Sequence, residues 1–429
     1  MKPIVSRLAI LGMSTLLATP AFAQKTEIEI WHTLSGPNRS EFESLISRFN
    51  GSQSNVVVDL THYDDQAELE EDAAQAIAGK RDKPDLVQLR DNRSPEAVAQ
   101  HKDILPLYQL LAKYPVPDAS WFLEKTTDFV RDSKGRLLAF PYMAEVPVMF
   151  YNIDLYRGAG LDANAPPPTW PDFQAHLLKL RNDGGVSCPY VTSDQVKVHI
   201  ENLAPINDEY YLTPDNGLKS SKNLAFNFNT LYMRHLSLMV SWRKTDLLMQ
   251  HSAAGQATSA FTQGRCAVLT AASGALGEVR QSGVRFGVAP IPYYAQETKK
   301  PGAPFIGGSA LWAVKGHSAE RQKATAQLLA YLATPVVAAQ WHQRTGYMPL
   351  TDAAFRAADV SFYNRIPGAR KVVEQMTNGD SKKSAGFDVR NYPKILVLLN
   401  QAFDQALSDQ TPPMSALMNA KSEAAKLMR

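Results

Sequence analysis

The feature that most constrains this chain is a hydrophobic period that switches repeatedly between two residues and three to four. Residues 27–32 (EIEIWH) alternate like a half-buried strand. Phe42, Leu45, Ile46 and Phe49 then recur at i, i+3, i+4 and i+7, one face of a helix, with Ser40 placed to cap it and Gly51 to close it. A β-branched strand follows over 56–63, a helix over 65–79, a third strand over 85–90 (DLVQLR) and a helix from Ser94. Alternation of this kind buries its apolar faces as a parallel sheet covered by helices, with right-handed crossovers.

At 135–152 the pattern changes. Two extended runs, 136–141 and 146–152, carry Pro141 and Pro147, which remove ladder donors and argue against a plain central hairpin. A segment that leaves one domain and enters another fits better. Beyond it the alternation resumes. Pro166–Pro168 approach a helix over 172–182 with Thr169 as N-cap and Pro171 as an early residue. Strands are expected at 266–270, 285–290 and 306–314, helices at 275–281 and 319–333, and a polar loop at 294–301. The C-terminal part reads as helical with a break at Pro412-Pro413.

A chain of 429 residues with 45% hydrophobic content has enough apolar material for two or more cores. Its first residues read as a secretory signal: basic Lys2 and Arg7, an uncharged run over 8–17, and Ala21-Phe22-Ala23 as a small-x-small cleavage site. Cleavage after Ala23 would start the mature chain at Gln24. The uncharged run is well short of the ~20 residues that span a bilayer. The formal charge of +3 shrinks once the two basic residues of the signal are removed, so neither nucleic acid nor an anionic membrane is expected as a partner. Cys188 and Cys266 are the two cysteines. In an oxidising compartment they either pair or stay as two buried thiols.

No nucleophile elbow, zinc-protease motif, P-loop or dinucleotide fingerprint occurs, and the nine histidines show no i, i+4 pair. No metal and no cofactor is expected. Paired-carboxylate hydrolysis leaves no short motif, so a secreted hydrolase using Asp91 and Glu145 stays open as an alternative. Strand ends are where open αβ sheets collect ligands. Trp31 and His32 end the first strand, either to stack on C–H faces or as core residues. Ser273-Gly274 joins strand to helix and offers backbone donors to an anion, or is a simple cap. Gly307-Gly308 permits close backbone approach, or is a bulge.

The run Phe261-Thr262-Gln263-Gly264-Arg265-Cys266-Ala267 with Thr270 to Gly274 resembles the strand entry of family 1 extracellular solute-binding proteins of ABC importers. Gly307 to Trp312 and Trp341 to Leu350 are similar to the glycerol-3-phosphate-binding, Ugp-type branch, as are Ile30-Trp31-His32, Tyr151-Asn152 and Thr169-Trp170. The resemblance implies an α/β fold of the type II periplasmic-binding-protein class, two αβ lobes joined by a three-segment hinge around a ligand cleft. The first lobe would be 24–140 plus 293–346, the second 141–292 plus 347–429. It implies a periplasmic monomer that binds a small polar ligand, delivers it to an inner-membrane permease and ATPase, closes on it, and does no chemistry. A chemotaxis or sensor ligand carrier would share this fold and cleft. Carried over residue by residue, Gly308, Tyr347 and Trp170 match cleft positions, Tyr63 lies near a family Tyr, and Asp91 stands for a ligand-binding Glu. Ser273 keeps one of two adjacent serines, with Ala272 at the other. Glu145 replaces a small hydroxyl residue. Leu396 replaces a phosphate-gripping Arg, with Arg390 and Lys394 close by in sequence. An added carboxylate and a lost Arg disfavour a phosphate dianion, since like charges ~4 Å apart cost roughly 4 kcal/mol at an effective dielectric of 20. Glycerol-3-phosphate, a glycerophosphodiester such as glycerophosphocholine, and a sugar or polyol are the expected ligand classes.

Overall fold

The computed structural model describes residues 25–79, 82–117, 120–121, 128–250, 255–378 and 382–428. The signal peptide expected at 1–23 lies outside them. The early strands are β1 (Thr26–His32), β2 (Val56–His62), β3 (Leu86–Arg90), β4 (Ile104–Leu105) and β5 (Phe140–Glu145). Next come β6 (Pro147–Asn152), β7 (Cys188–Thr192), β8 (Leu212–Thr213), β9 (Ala225–Phe226) and β10 (Leu248–Met249). The last are β11 (Cys266–Ala272), β12 (Phe286–Pro290) and β13 (Gly307–Val314). They form two main sheets, ordered β2-β1-β3-β13-β4 and β10-β7-β11-β6-β12, with β5 joined to β13; β8 and β9 make a small separate pair. β1, β2 and β3 run parallel, as the alternation requires, while β13 enters antiparallel beside β3.

Two buried clusters hold the fold; the first fills the first lobe and continues onto one face of the second sheet through Phe150, Val191 and Leu269, and the second covers that sheet's other face. Ile28, Ile30, Phe42, Leu45, Leu86 and Leu311 belong to the first. Trp170, Phe173, Tyr190, Trp242, Ile395 and Phe403 belong to the second. The expected helix face Phe42/Leu45/Ile46/Phe49 is buried, but the helix runs Gly36–Ser52, one turn earlier than a Ser40 cap predicts. Pro37 sits in its first turn, where a missing N–H costs nothing, and Ser35 takes the cap position. Thr169 caps Trp170–Asn182 as expected, its Oγ accepting Asp172 N–H at 3.2 Å.

The chain changes sheet between Glu145 and Pro147, later than the 140/141 boundary expected from the sequence, because β5 stays paired with β13 up to Glu145. Pro147 then opens β6 at its first residue, where a strand tolerates proline, and Val146 is clamped between them. Ser273 N–H donates to Val146 O at 2.7 Å and Val146 N–H to Ser273 Oγ at 3.4 Å. The chain returns to the first sheet between Pro290 and Gly307. It crosses again after Pro335–Thr345: Met348 N–H donates to Ala144 O, whereas Pro367 O accepts Val288 N–H of β12. Cys188 and Cys266 are disulfide-bonded across the neighbouring strands β7 and β11, which resolves the open alternative in favour of pairing.

Candidate functional site

Between the two sheets lies a cavity of about 280 Å³. The first sheet supplies the turn after β1 (Thr33 to Asn38), Gln88 and Arg90 of β3, Glu145 at the end of β5, and Gly308 and Ser309 of β13. The second supplies Ser193, Asp194 and Lys197 after β7, Ala271, Ala272, Gly274 and Ala275 around the end of β11, and Glu278. Tyr347 closes one side. The ends of parallel strands converge here, the position where open αβ sheets bind ligands.

Three of the sequence-predicted residues meet at this cavity: Glu145, Gly308 and Tyr347. Gly308 has φ +106, and a Cβ there would collide with Met143 O and lie 2.9 Å from Glu145 Cγ. The glycine thus lets β13 run against the end of β5. Gly274 does the same on the facing wall, where a Cβ would sit 2.8 Å from Glu145 Oε2 and 2.9 Å from Tyr347 Cε1. The Tyr347 ring stacks on Trp341 at 5.5 Å, and Trp341 lies parallel to Tyr142 at 4.6 Å, so the ring is backed by a rigid stack.

The other predicted residues are elsewhere, each for a physical reason. Trp31 turns into the first core, tilted against the Tyr63 ring and donating Nε1–H to Glu29 at 2.7 Å. Tyr63 donates its hydroxyl to Asp72. His32 is fully buried between Phe42 and His62, and burial together with the nearby His62 and Arg39 lowers its pKa to about 4. Trp170 is 1% exposed inside the second core, against Phe173, His235 and Trp242; the early part of an amphipathic helix turns it inward. Ser273 donates its N–H to Val146 O, accepts Val146 N–H at Oγ, and does not line the cavity. Arg390 is on the surface beside Asp388, and Leu396 packs against the second core, so neither replaces the other at the cavity. Asp91 is ion-paired to Arg93 at 3.0 Å and does not line the cavity. Asp91 and Glu145 therefore do not face one another across it as a hydrolytic pair.

Sequence reasoning missed the cavity's cations. Arg90 ends β3, one residue before the one singled out, and no hydrogen bond or ion pair holds its guanidinium among the described residues. Its strand-end position was the available signal. Lys197 opens a single π-helical turn, Lys197–Glu201, that no periodicity announces. Its Nζ is 3.7 Å from Glu145 Oε1, so the carboxylate pairs with Lys197 and not with Arg390 or Lys394. Burial pushes the Glu145 carboxyl up, with Lys197 opposing. Burial works against the Lys197 charge, but Glu145, Asp194 and Glu201 outweigh it and hold its pKa above the ordinary value. The wall thus carries two cations, Arg90 and Lys197, among three carboxylates, Glu145, Asp194 and Glu278. Among the described residues no group of three or more His, Cys, Asp or Glu could hold a metal ion, and no helix is long and apolar enough to cross a membrane.

Residues 44–367 match the family model described as bacterial extracellular solute-binding protein. The chain is 32% identical over 412 residues to the sn-glycerol-3-phosphate-binding periplasmic protein UgpB of Yersinia pseudotuberculosis, covering 94% of this chain and 92% of that one. It is 31% identical over 399 residues to UgpB of Rhizobium meliloti, covering 92% of each. Similar solved structures include UgpB from Mycobacterium tuberculosis in complex with glycerophosphocholine, at TM-score 0.73 and 20% identity over 94% of this chain and 98% of that one. Maltose-bound T. maritima MalE3 superposes at TM-score 0.74 with 18% identity, over 94% of this chain and 100% of that one.

Proposed function

The chain belongs to the bacterial extracellular solute-binding proteins, and on that premise we propose that it is the periplasmic receptor of an ABC importer whose preferred ligand is a glycerophosphodiester such as glycerophosphocholine. Glycerol-3-phosphate is the weaker ligand in this reading. The protein works as a monomer after loss of its signal peptide at Ala23, hands its ligand to the inner-membrane permease and ATPase, and catalyses nothing. The names of its relatives support the chemical class. The observation that carries the choice within it is the mixed charge of the cavity wall.

Arg90 and Lys197 provide two positive groups for a phosphate. Lys197 is already half-engaged by Glu145, and Asp194 and Glu278 add further negative charge. A dianion held here meets like charges at a cost of a few kcal/mol, on the order of 4 at close range and an effective dielectric of 20. A phosphodiester has one negative charge, and its quaternary ammonium finds a carboxylate and the Tyr347 ring, which attract such a group. The two lobes close over this ligand, shifting a pre-existing equilibrium.

Calorimetric titration with glycerophosphocholine, sn-glycerol-3-phosphate and maltose tests the proposal. Glycerophosphocholine should bind most tightly. Arg90→Ala should weaken both phosphates about tenfold, the loss of one charge-assisted contact, and Glu145→Ser should raise affinity for glycerol-3-phosphate by freeing Lys197. Tighter binding of maltose than of either phosphate would replace the proposal with a sugar receptor.

A further inference from the structure

Beside the cavity lies a smaller pocket that shares Glu145, Asp194, Lys197, Ala272 and Gly308 with it and is also lined by Arg93 and Glu201; there one guanidinium ties together four separate parts of the chain. Arg93 follows β3 with φ +58, and its side chain is 6% exposed. Within its own turn it pairs with Asp91 at 3.0 Å, and Asp91 Oδ1 accepts its backbone N–H at 2.8 Å. Its Nη1 donates to Ile306 O at 2.9 Å, in the passage leading back to the first sheet. Its Nη2 lies 3.3 Å from Glu201 Oε2, at the end of the π-helical turn on the second-sheet side. The plane of the guanidinium covers Phe387 at 4.3 Å, and Arg93 O accepts Val389 N–H. Glu201, 1% exposed, accepts the Tyr392 hydroxyl at 2.6 Å.

Resting on the reading of a closing two-lobed receptor, we propose that the Arg93–Glu201 ion pair, in the pocket adjoining the ligand cavity, is an interlobe latch that sets the closed population, and hence affinity. The contact is built to be reversible. A buried ion that loses its only partner is left uncompensated, which is strongly destabilising. Here each member keeps a companion when the lobes part: Arg93 keeps Asp91, and Glu201 keeps Tyr392 and has Lys197 one turn away on its own segment. That segment also connects latch to ligand. Lys197 at its start lines the cavity and pairs with Glu145, while Glu201 at its end holds Arg93. Five residues in π-helical geometry, a form concentrated at functional sites, therefore carry both contacts.

Breaking the latch lowers the fraction of binding-competent protein and so weakens every ligand. Arg93→Lys keeps the charge but cannot fork between Ile306 and Glu201; it should lower affinity for glycerophosphocholine and for sn-glycerol-3-phosphate by the same factor, about tenfold, with their ratio unchanged. Glu201→Gln keeps the shape of the side chain and the Tyr392 hydrogen bond but also removes a negative charge that acts on Lys197 of the cavity wall, so it should weaken glycerophosphocholine more than sn-glycerol-3-phosphate. Small-angle scattering without ligand should give a larger radius of gyration for both variants than for wild type. Unchanged affinities in Arg93→Lys, or a change in one ligand's affinity alone there, would overturn the latch. If wild type binds neither probe, the ligand reading fails by itself, and the ligand-free scattering decides the latch: equal radii reject it and a larger variant radius supports it.

Discussion

The buried rings of the two cores are used in different ways. In the first, Tyr142, Trp341 and Tyr347 form one stack whose last member is exposed to the cavity. In the second, rings and hydroxyls form a hydrogen-bonded chain that stays inside. Thr270 Oγ is bonded to Thr192 Oγ and Tyr190 Oη; Tyr190 Oη lies 2.8 Å from His199 Nε2; His199 Nδ1 is 3.0 Å from His235 Nε2; and His235 Nδ1 is 3.0 Å from Tyr294 Oη. None of these residues lines the cavity. The first core delivers a ring to the ligand. The second builds a stiff platform and presents charge from the turn beyond it, at Asp194 and Lys197.

The comparison breaks most easily at Trp170, which the sequence resemblance assigns to the cleft and the structure to the second core. Trp170→Ala should cost about 3–5 kcal/mol of unfolding free energy, the range for emptying a large aromatic site, and leave affinity for glycerophosphocholine unchanged in the folded protein. Urea denaturation with calorimetry on the same preparation measures both. Lost affinity at wild-type stability would put the ring back in the cleft.

Acid sharpens the contrast. Burial, with a contribution from His235, holds His199 well below the ordinary histidine value, and burial takes His235 down to about 3. Unfolded, both titrate near pH 6.5, so below that the unfolded chain binds more protons and stability falls as pH drops. The slope is about 1.4 kcal/mol per histidine per pH unit, or ~2 kcal/mol each from pH 7.5 to 5. His32 and His342 in the first core, both lowered to about 4, add to the loss over this range. Below pH 4 they have charged, and only the second pair goes on resisting protonation. His235→Phe should reduce the pH slope of the urea midpoint by about one proton between pH 6 and 4. An unchanged slope would mean that the second chain is not neutral in the fold.

The smallest expected effect is at the end of the first stack. Tyr347→Ala should weaken glycerophosphocholine binding about tenfold, equivalent to ~1.4 kcal/mol, whereas Tyr347→Phe should keep most of it because ring and stacking survive. Wild-type affinity in the alanine variant would leave the cavity without an aromatic contribution.

What could be read in advance follows the range of the interactions involved. The elements were legible because period and caps are local: β1, β2, β3, β11, β12 and β13 fall within a residue or two of expectation. Of the cavity, Gly308 was legible from the backbone freedom of glycine, whereas Glu145 and Tyr347 were reached through the family resemblance. Trp31, Tyr63 and Trp170 were misplaced because an aromatic at a strand or helix end serves core and cleft equally well until its neighbours are known. Arg90 and Lys197 were missed because an exposed cation looks the same in sequence whether it faces solvent or a cavity. Arg93 and Glu201 pair across more than a hundred residues, with |i−j| of 108, and nothing local announces them.

The strand order of the first sheet governs when it can form. β13 is an interior strand, bonded to β3, β4 and β5, and it follows every strand of the second sheet in the chain. The Gln88–Ser309 hydrogen bond alone closes a loop of 221 residues. As the polypeptide emerges from the ribosome, its first 145 residues hold five strands of a sheet whose middle has not yet been made. The second sheet has all its strands by Pro290, but its core waits for Ile395 and Phe403, so neither lobe is complete until the chain is nearly finished, and a fragment ending at Pro290 would leave β3 and β5 with no strand between them.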